Sequence, residues 1–239
     1  SFISAFEGKA DMAVGNIVGS NIFNTLMILG VTALISPLII TKSNLKRDIP
    51  LNIAVTAILI FLGMKNSLFG IGQDCLTRVD GVIMLAIFAW YVWRSFRTPS
   101  DDCEESSEDI KTFSGAVSAC LIIAGLAALI GGGKMFVHSA TAIAEYLHLS
   151  EKFIAITVMA AGTSLPELAT CVVAATKGHG QLALGNILGS NVSNILLILG
   201  GSALIHPLSF AGMTPVDLGV VMIAAVFILS SAYTFRANK

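Results

Sequence analysis

Seven apolar segments, separated by short polar connections, run along the chain at 12–35, 51–68, 79–96, 115–144, 153–175, 181–205 and 218–235. A helix that crosses a bilayer needs about 20 such residues. The segments are long and continuous rather than alternating ten-residue runs, so they predict helices and not the strands of a membrane barrel. Segment 115–144 is overlong and carries Gly131, Gly132, Gly133 and Lys134 in its middle, which predicts a bend or an early exit to the interface.

Composition turns this pattern into a class. Of 239 residues 55% are hydrophobic and 12% are charged, where a soluble domain carries roughly a quarter charged. The expected fold is an all-α integral membrane protein, and the lipid bilayer is its first partner. The net charge of −1, with no basic block, excludes nucleic acid as a partner. Cys75, Cys103, Cys120 and Cys171 form no CxxC and no even spacing, so neither a disulfide framework nor a zinc site is expected. These numbers exclude an ordinary soluble enzyme, and no cofactor is expected.

One connection, 97–113, is an acidic run holding Asp101, Asp102, Glu104, Glu105, Glu108 and Asp109. It lacks the glycine and ligand spacing of an EF-hand loop and reads as a solvated linker. It divides the chain into 1–96 and 114–239. With connections on alternate faces, one face collects Lys42, Lys46, Arg47, Arg94, Arg97, Lys111, Lys177, Arg236 and Lys239. The other holds Lys9, Lys65, Arg78 and Lys152. The richer face is expected to be cytoplasmic, and the linker with it. Trp90, Tyr91 and Trp93 close a span beside that face, as an interfacial aromatic belt does.

Residues 5–38 and 175–208 repeat one another at a constant offset of 170, with 19 of 34 positions identical. The identities include Gly15, Asn16, Gly19, Ser20, Asn21, Asn24 and Pro37, which similarity between two apolar helices does not explain. Five spans separate the copies. An odd number of crossings reverses direction, so the repeat is expected to be inverted, as in secondary transporters whose site lies near the midplane. At the same offset, Gly162–Glu167 would have a partner before residue 1 and the span 79–96 has no counterpart. With Ser1 in place of a Met, these gaps suggest a piece of a larger inverted pair.

Chemistry concentrates at Glu167. An acidic side chain inside an apolar span costs about 3 kcal/mol or more and marks a functional site by default. Thr163 and Ser164 precede it on one helix face. Pro166 has no N–H for the carbonyl of Gly162, which predicts an opened helix with backbone oxygens of Ala160 and Gly162 exposed as acceptors. A carboxylate, hydroxyls and carbonyls make a hard-oxygen site suited to Na⁺ or Ca²⁺, although Ca²⁺ takes roughly six to eight oxygens. The repeats add Ser20 with Asn24 and Ser190 with Asn194, each pair one turn apart. The glycines of Gly15-x-x-x-Gly19 and Gly185-x-x-x-Gly189 are expected to pack helices. Asn16, Asn21, Asn186 and Asn191 fit caps or helix–helix hydrogen bonds as well as ligation. Lys134, His138, Thr141 and Glu145 form a polar stripe that reads as the interfacial side of a long helix.

At residues 160–200 (AAGTSLPELATCVVAATKGHGQLALGNILGSNVSNILLILG) and 13–30 (AVGNIVGSNIFNTLMILG) the chain resembles the cation/Ca²⁺ exchanger superfamily, in its Na⁺/Ca²⁺ exchanger branch. The resemblance implies ten helices in two inverted halves of five, of which this chain would hold the end of the second to the ninth. It implies alternating access, with Na⁺ and Ca²⁺ competing for one carboxylate-centred site in a plasma or inner membrane. The family's ligand positions fall on Thr163, Ser164, Glu167, Ser190 and Asn194, with the carbonyl of Ala160, and in the first repeat on Ser20 and Asn24. Some members carry Asp where Asn194 stands, which leaves Na⁺ stoichiometry and K⁺ dependence open. Exchange of another cation pair, coupled to H⁺ or K⁺, a channel, and a membrane scaffold without transport are the competing readings.

Overall fold

The computed structural model describes residues 10–38, 40–70, 72–97 and 114–237. Apart from Arg97, the expected acidic linker 97–113 lies outside the described residues. Helix α1 comprises Ala10–Ile22, a π-helical stretch Phe23–Ile28 and Leu29–Ile35. Helix α2 begins as a π-helical stretch, Asn44–Asp48, and continues as Ile49–Gly63. The short α3 (Lys65–Phe69) and strand β1 (Cys75–Leu76) lead into α4 (Arg78–Arg97). Helix α5 is Gly115–Tyr146. Helix α6 comprises Glu151–Ile154, the π-helical Ala155–Met159 and Ala160–Thr163, and α7 is Leu165–Thr176. Helix α8 comprises Gly180–Ser193, the π-helical Asn194–Leu199 and Gly200–Ile205. Strand β2 (Leu208–Ser209) and α9 (Pro215–Ala237) follow.

Among the described residues five helices, α1, α4, α5, α8 and α9, are long and apolar enough to cross a membrane. The bent pair α6–α7 makes six if taken as one span. The expected segment 51–68 is the exception. Its helix runs without a break from Asn44 to Gly63, but the first turns carry Lys46, Arg47 and Asp48, and it stops at Met64 (φ −118°, ψ 41°). At that stop Gly63 lies flat against Phe210, and Lys65 turns aside to donate to Asp80 at 2.6 Å. Leu68 and Phe69 resume the apolar run after Lys65, Asn66 and Ser67, so an expectation drawn from hydropathy carries the segment past the break. The expected bend in 115–144 is also absent. Helix α5 is continuous over 32 residues, because glycine weakens a helix without removing its N–H donors.

Helices α1 and α8 share more than sequence. Both hold a π-helical stretch at nearly the same repeat position. Both end on an extended residue, Ser36 (φ −146°) and His206 (φ −142°), because the proline that follows each excludes helical backbone before it. They run antiparallel. A Cβ on Gly180, where α8 starts, would stand 2.9 Å from the Pro37 oxygen just past the end of α1. The start of α1 in turn packs on β2, just past the end of α8. The repeat is thus inverted in space.

The two halves share one core. Val14, Ile17 and Val18 of α1 meet Val55 and Leu59 of α2, Met84 of α4, and Ile195 and Leu199 of α8. Helices α4 and α8 cross at Gly81 and Gly200, where a Cβ on Gly81 would lie 2.7 Å from the Gly200 oxygen. Outside the spans, β1 pairs antiparallel with β2, Cys75 opposite Ser209 and Leu76 opposite Leu208. Beside this clip the Ser67 hydroxyl, with the amides of Ser67 and Asn66, donates to Asp74 and holds its carboxyl below the usual carboxylate range.

Candidate ion site

The chain turns by 53° between α6 and α7. Ser164, 2% exposed, is the turning residue. Pro166, at the start of α7, offers no N–H to Gly162. Of the two carbonyls expected to be released, only that of Gly162 loses its donor this way. The Ser164 amide bonds Ala160 and Ala161 together, each at 3.1 Å. The Ala160 oxygen also accepts from the Thr163 hydroxyl at 3.1 Å and from the Ser20 hydroxyl at 3.4 Å. Ser20 and Thr163 hydroxyls lie 3.0 Å apart, and Thr163 donates to the Asn16 side-chain oxygen at 3.2 Å. One cluster thus joins Ser20, Thr163 and Ala160 across α1 and α6.

A second cluster joins the two repeats. Asn24 Nδ2 donates to Asn191 Oδ1 at 3.1 Å, and Asn194 Nδ2 donates to Asn21 Oδ1 at 3.1 Å. Moving the donor forward by 170 and the acceptor back by 170 turns one bond into the other, so the pair is a pseudo-two-fold reciprocal contact. Asn24 Nδ2 also reaches Ser190 Oγ at 3.2 Å, and Asn191 Nδ2 reaches Thr25 Oγ1 at 2.9 Å. Asn21 and Asn191 therefore act as cross-links between α1 and α8, and Asn16 as a link to α6. Asn186 donates to Cys171 Sγ at 3.4 Å. The sequence left these four roles open. The signal that resolves the first two is the offset of 170 read together with inversion.

Glu167 sits on the first turn of α7 and is half-buried. The next residue, Leu168, packs against a cluster containing Ile28 of α1 and Ile187 of α8. Ile187 is also the carbonyl that accepts from Ser190 Oγ, at 3.0 Å. Helix α7 thus rests on both repeats next to Asn24 and Ser190. Glu167 Oε2 and Asn24 Oδ1 are buried with no hydrogen-bond partner. Both atoms are acceptors only, and a buried oxygen left this way is costly without a cation or donor beside it. Among the described residues no group of three His, Cys, Asp or Glu could hold a metal ion. A cation here would take one carboxylate and neutral oxygens.

The glycine pattern divides between the copies. A Cβ on Gly19 would stand 2.2 Å from the Ile156 oxygen and 2.7 Å from Ala160 Cβ, so α1 and α6 meet there backbone to backbone. Gly185 has nothing within 4 Å, and Gly189 only the Tyr91 hydroxyl at 3.9 Å. Gly185 therefore makes none of the packing contact expected of it. In the stripe on α5, Lys134, His138 and Glu145 are exposed and Thr141 is half-buried.

With the geometry in place, comparison with known proteins decides the family. The sodium/calcium exchanger protein family matches residues 1–97 and 117–239. The chain belongs to that family. Sodium/calcium exchanger family members are transporters, not enzymes. The chain is 32% identical over 267 residues to the sodium/calcium exchanger MaX1 of Methanosarcina acetivorans, covering 95% of this chain and 76% of that one. It is 34% identical over 218 residues to the inner membrane protein YrbG of Escherichia coli, covering 87% of this chain and 64% of that one. A solved structure of the sodium-calcium exchanger NCX_Mj, soaked with Na⁺ and Sr²⁺, superposes with a TM-score of 0.72 at 30% identity. That match covers 95% of this chain and 71% of that one. The chain spans just under two thirds of the length of several curated relatives, 64% of YrbG among them.

Proposed function

We propose that this family member exchanges Na⁺ for Ca²⁺ across a plasma or inner membrane by alternating access, at a site centred on Glu167. The observation that carries the reading is the pair of buried oxygens without partners, Glu167 Oε2 and Asn24 Oδ1, on helices that touch beside the α6–α7 break. The carboxylate supplies the charge that attracts a cation. Thr163, Ser164, Ser190, Asn194, Ser20 and the Ala160 carbonyl supply neutral oxygens. Two kinds of cation competing for one carboxylate cannot be held together at full strength, so each displaces the other. That competition couples their movement in opposite directions. The break at Ser164 and the π-helical stretches give the helices a place to shift without opening apolar packing elsewhere. The face rich in Lys and Arg, with residues 97–113, is cytoplasmic by the positive-inside rule.

The test is flux in liposomes containing the protein. An outward Na⁺ gradient drives ⁴⁵Ca²⁺ uptake by the wild type. Glu167→Gln keeps the side chain's size and loses its charge, and it lowers that uptake by at least about 100-fold, the factor that roughly 3 kcal/mol represents. A pH gradient in place of the Na⁺ gradient drives none. Uptake by Glu167→Gln at the wild-type rate, or uptake driven equally by H⁺, refutes the reading.

A further inference from the structure

The amide of Asn24 is wholly buried, and its two ends differ in what they meet. Both N–H groups are spent, one on Ser190 Oγ at 3.2 Å and one on Asn191 Oδ1 at 3.1 Å, while Oδ1 meets no donor. An asparagine amide has nearly the same shape either way round, so its partners decide which end faces a site. Here the direction is fixed from the backbone. Ser190 donates its one proton to the Ile187 carbonyl at 3.0 Å, and a carbonyl only accepts. Ser190 Oγ therefore offers Asn24 only a lone pair, and keeps a second one for a cation. Asn191, 2% exposed, gives its own N–H to Thr25 Oγ1 at 2.9 Å and so turns its Oδ1 to Asn24. The other repeat is fixed in the same manner. Asn21 Nδ2 donates to the backbone oxygen of Asn191 at 3.3 Å, which turns Asn21 Oδ1 to Asn194 Nδ2 at 3.1 Å. The nitrogen of Asn194 is thereby tied to α1, and its oxygen stands at the opposite end of the amide.

We infer that Asn21 and Asn191 are positioning residues that set ion selectivity: they hold the amides of Asn194 and Asn24 with oxygen, not nitrogen, presented to the cation. The inference rests on the reading of Glu167 as the centre of the ion site, and it adds two residues that are not among the proposed ligands. Reversing Asn24 would set its oxygen against Asn191 Oδ1 and the Ser190 lone pair, and would leave both N–H groups without an acceptor. A reversed amide presents N–H to the ion. The energy of a charge beside a dipole is proportional to the charge, so the wrong end repels Ca²⁺ about twice as strongly as Na⁺. Release of either amide therefore reduces Ca²⁺ affinity by about the square of the factor for Na⁺. The two arms are anchored differently. At the offset of 170 Thr25 corresponds to Ile195, so a threonine hydroxyl holds the Asn24 arm alone.

Calorimetry on the purified protein in detergent measures the dissociation constants of Ca²⁺ and of Na⁺, each without the other. Asn191→Leu keeps the side chain's bulk and loses the acceptor that holds Asn24. It raises the Ca²⁺ constant by about tenfold and the Na⁺ constant by about threefold. Asn21→Leu acts the same way through Asn194. Thr25→Val keeps the shape of threonine and removes only the hydroxyl that holds Asn191. It raises the Ca²⁺ constant by about fivefold, the factor of one hydrogen bond, and the Na⁺ constant by about twofold. A general loosening of the site weakens both ions by one common factor, so equal factors for the two ions overturn the inference. An unchanged Ca²⁺ constant in Thr25→Val, with its helical circular dichroism intact, also overturns it, whether or not the leucine variants fold. Glu167→Gln separates this inference from the reading beneath it. If Glu167→Gln loses Ca²⁺ binding while Thr25→Val binds both ions as the wild type does, only the positioning role is refuted. If Glu167→Gln binds Ca²⁺ as the wild type does, the ion site is refuted and the positioning role with it.

Discussion

Gly19→Ala tests how tightly α1 and α6 are joined at the ion site. The added Cβ would lie 2.2 Å from the Ile156 oxygen and 2.7 Å from Ala160 Cβ, both on backbone or on a stub that cannot rotate away. The helices must part by about an ångström, since close-packed interiors leave no slack. The Ser20 hydroxyl then loses its contacts to Thr163 at 3.0 Å and to Ala160 at 3.4 Å. Overpacking costs about 1–3 kcal/mol, and each lost hydrogen bond adds about 1 kcal/mol. A total near 4 kcal/mol lowers the midpoint by on the order of 10 °C for a chain of this size. Gly185→Ala is the control, since nothing lies within 4 Å of it. Alanine there removes the helix penalty of glycine and raises stability by about 0.5–1 kcal/mol. Thermal unfolding in detergent reads both variants. Midpoints for the two that agree within about 2 °C would refute the reasoning.

The reciprocal asparagine bonds predict two matching double-mutant cycles. Asn24→Ala with Asn191→Ala, and Asn194→Ala with Asn21→Ala, each give a coupling energy of about 0.5–3 kcal/mol in detergent unfolding, and a value near zero in either counts against the inverted contact. Asp80, 5% exposed, takes its charge partner from Lys65. Lys65→Met leaves that carboxylate unpaired and lowers stability by about 3 kcal/mol. Adding Asp80→Asn recovers most of the loss, and a double variant as weak as the single one contradicts the pairing.

Features carried by local chemistry or by the repeat were legible in the sequence. Pro37 and Pro207 fix the ends of α1 and α8, Pro166 marks the turn at Ser164, and the offset of 170 with an odd number of crossings gives the inversion. Features set by distant contacts were not. The stop at Met64 depends on Phe210, about 150 positions away, lying flat on Gly63. Glycine spacing was the same in both copies, yet Gly19 meets a backbone and its repeat partner Gly189 does not. The Ala160 carbonyl keeps the ordinary amide bond from Ser164, four residues on, because the proline at 166 removes only the donor to Gly162. The four π-helical stretches left no trace in hydropathy, whose period they disturb by one residue.

The central claim is that a cation sits against Glu167. Anomalous X-ray diffraction from crystals soaked in Sr²⁺ locates such an ion directly. The account predicts a peak about 2.3–2.6 Å from Glu167 Oε2, in the range of Ca²⁺–oxygen contacts, that fades as Na⁺ is raised and is missing in Glu167→Gln. No peak beside Glu167, or one that persists in Glu167→Gln, would contradict it.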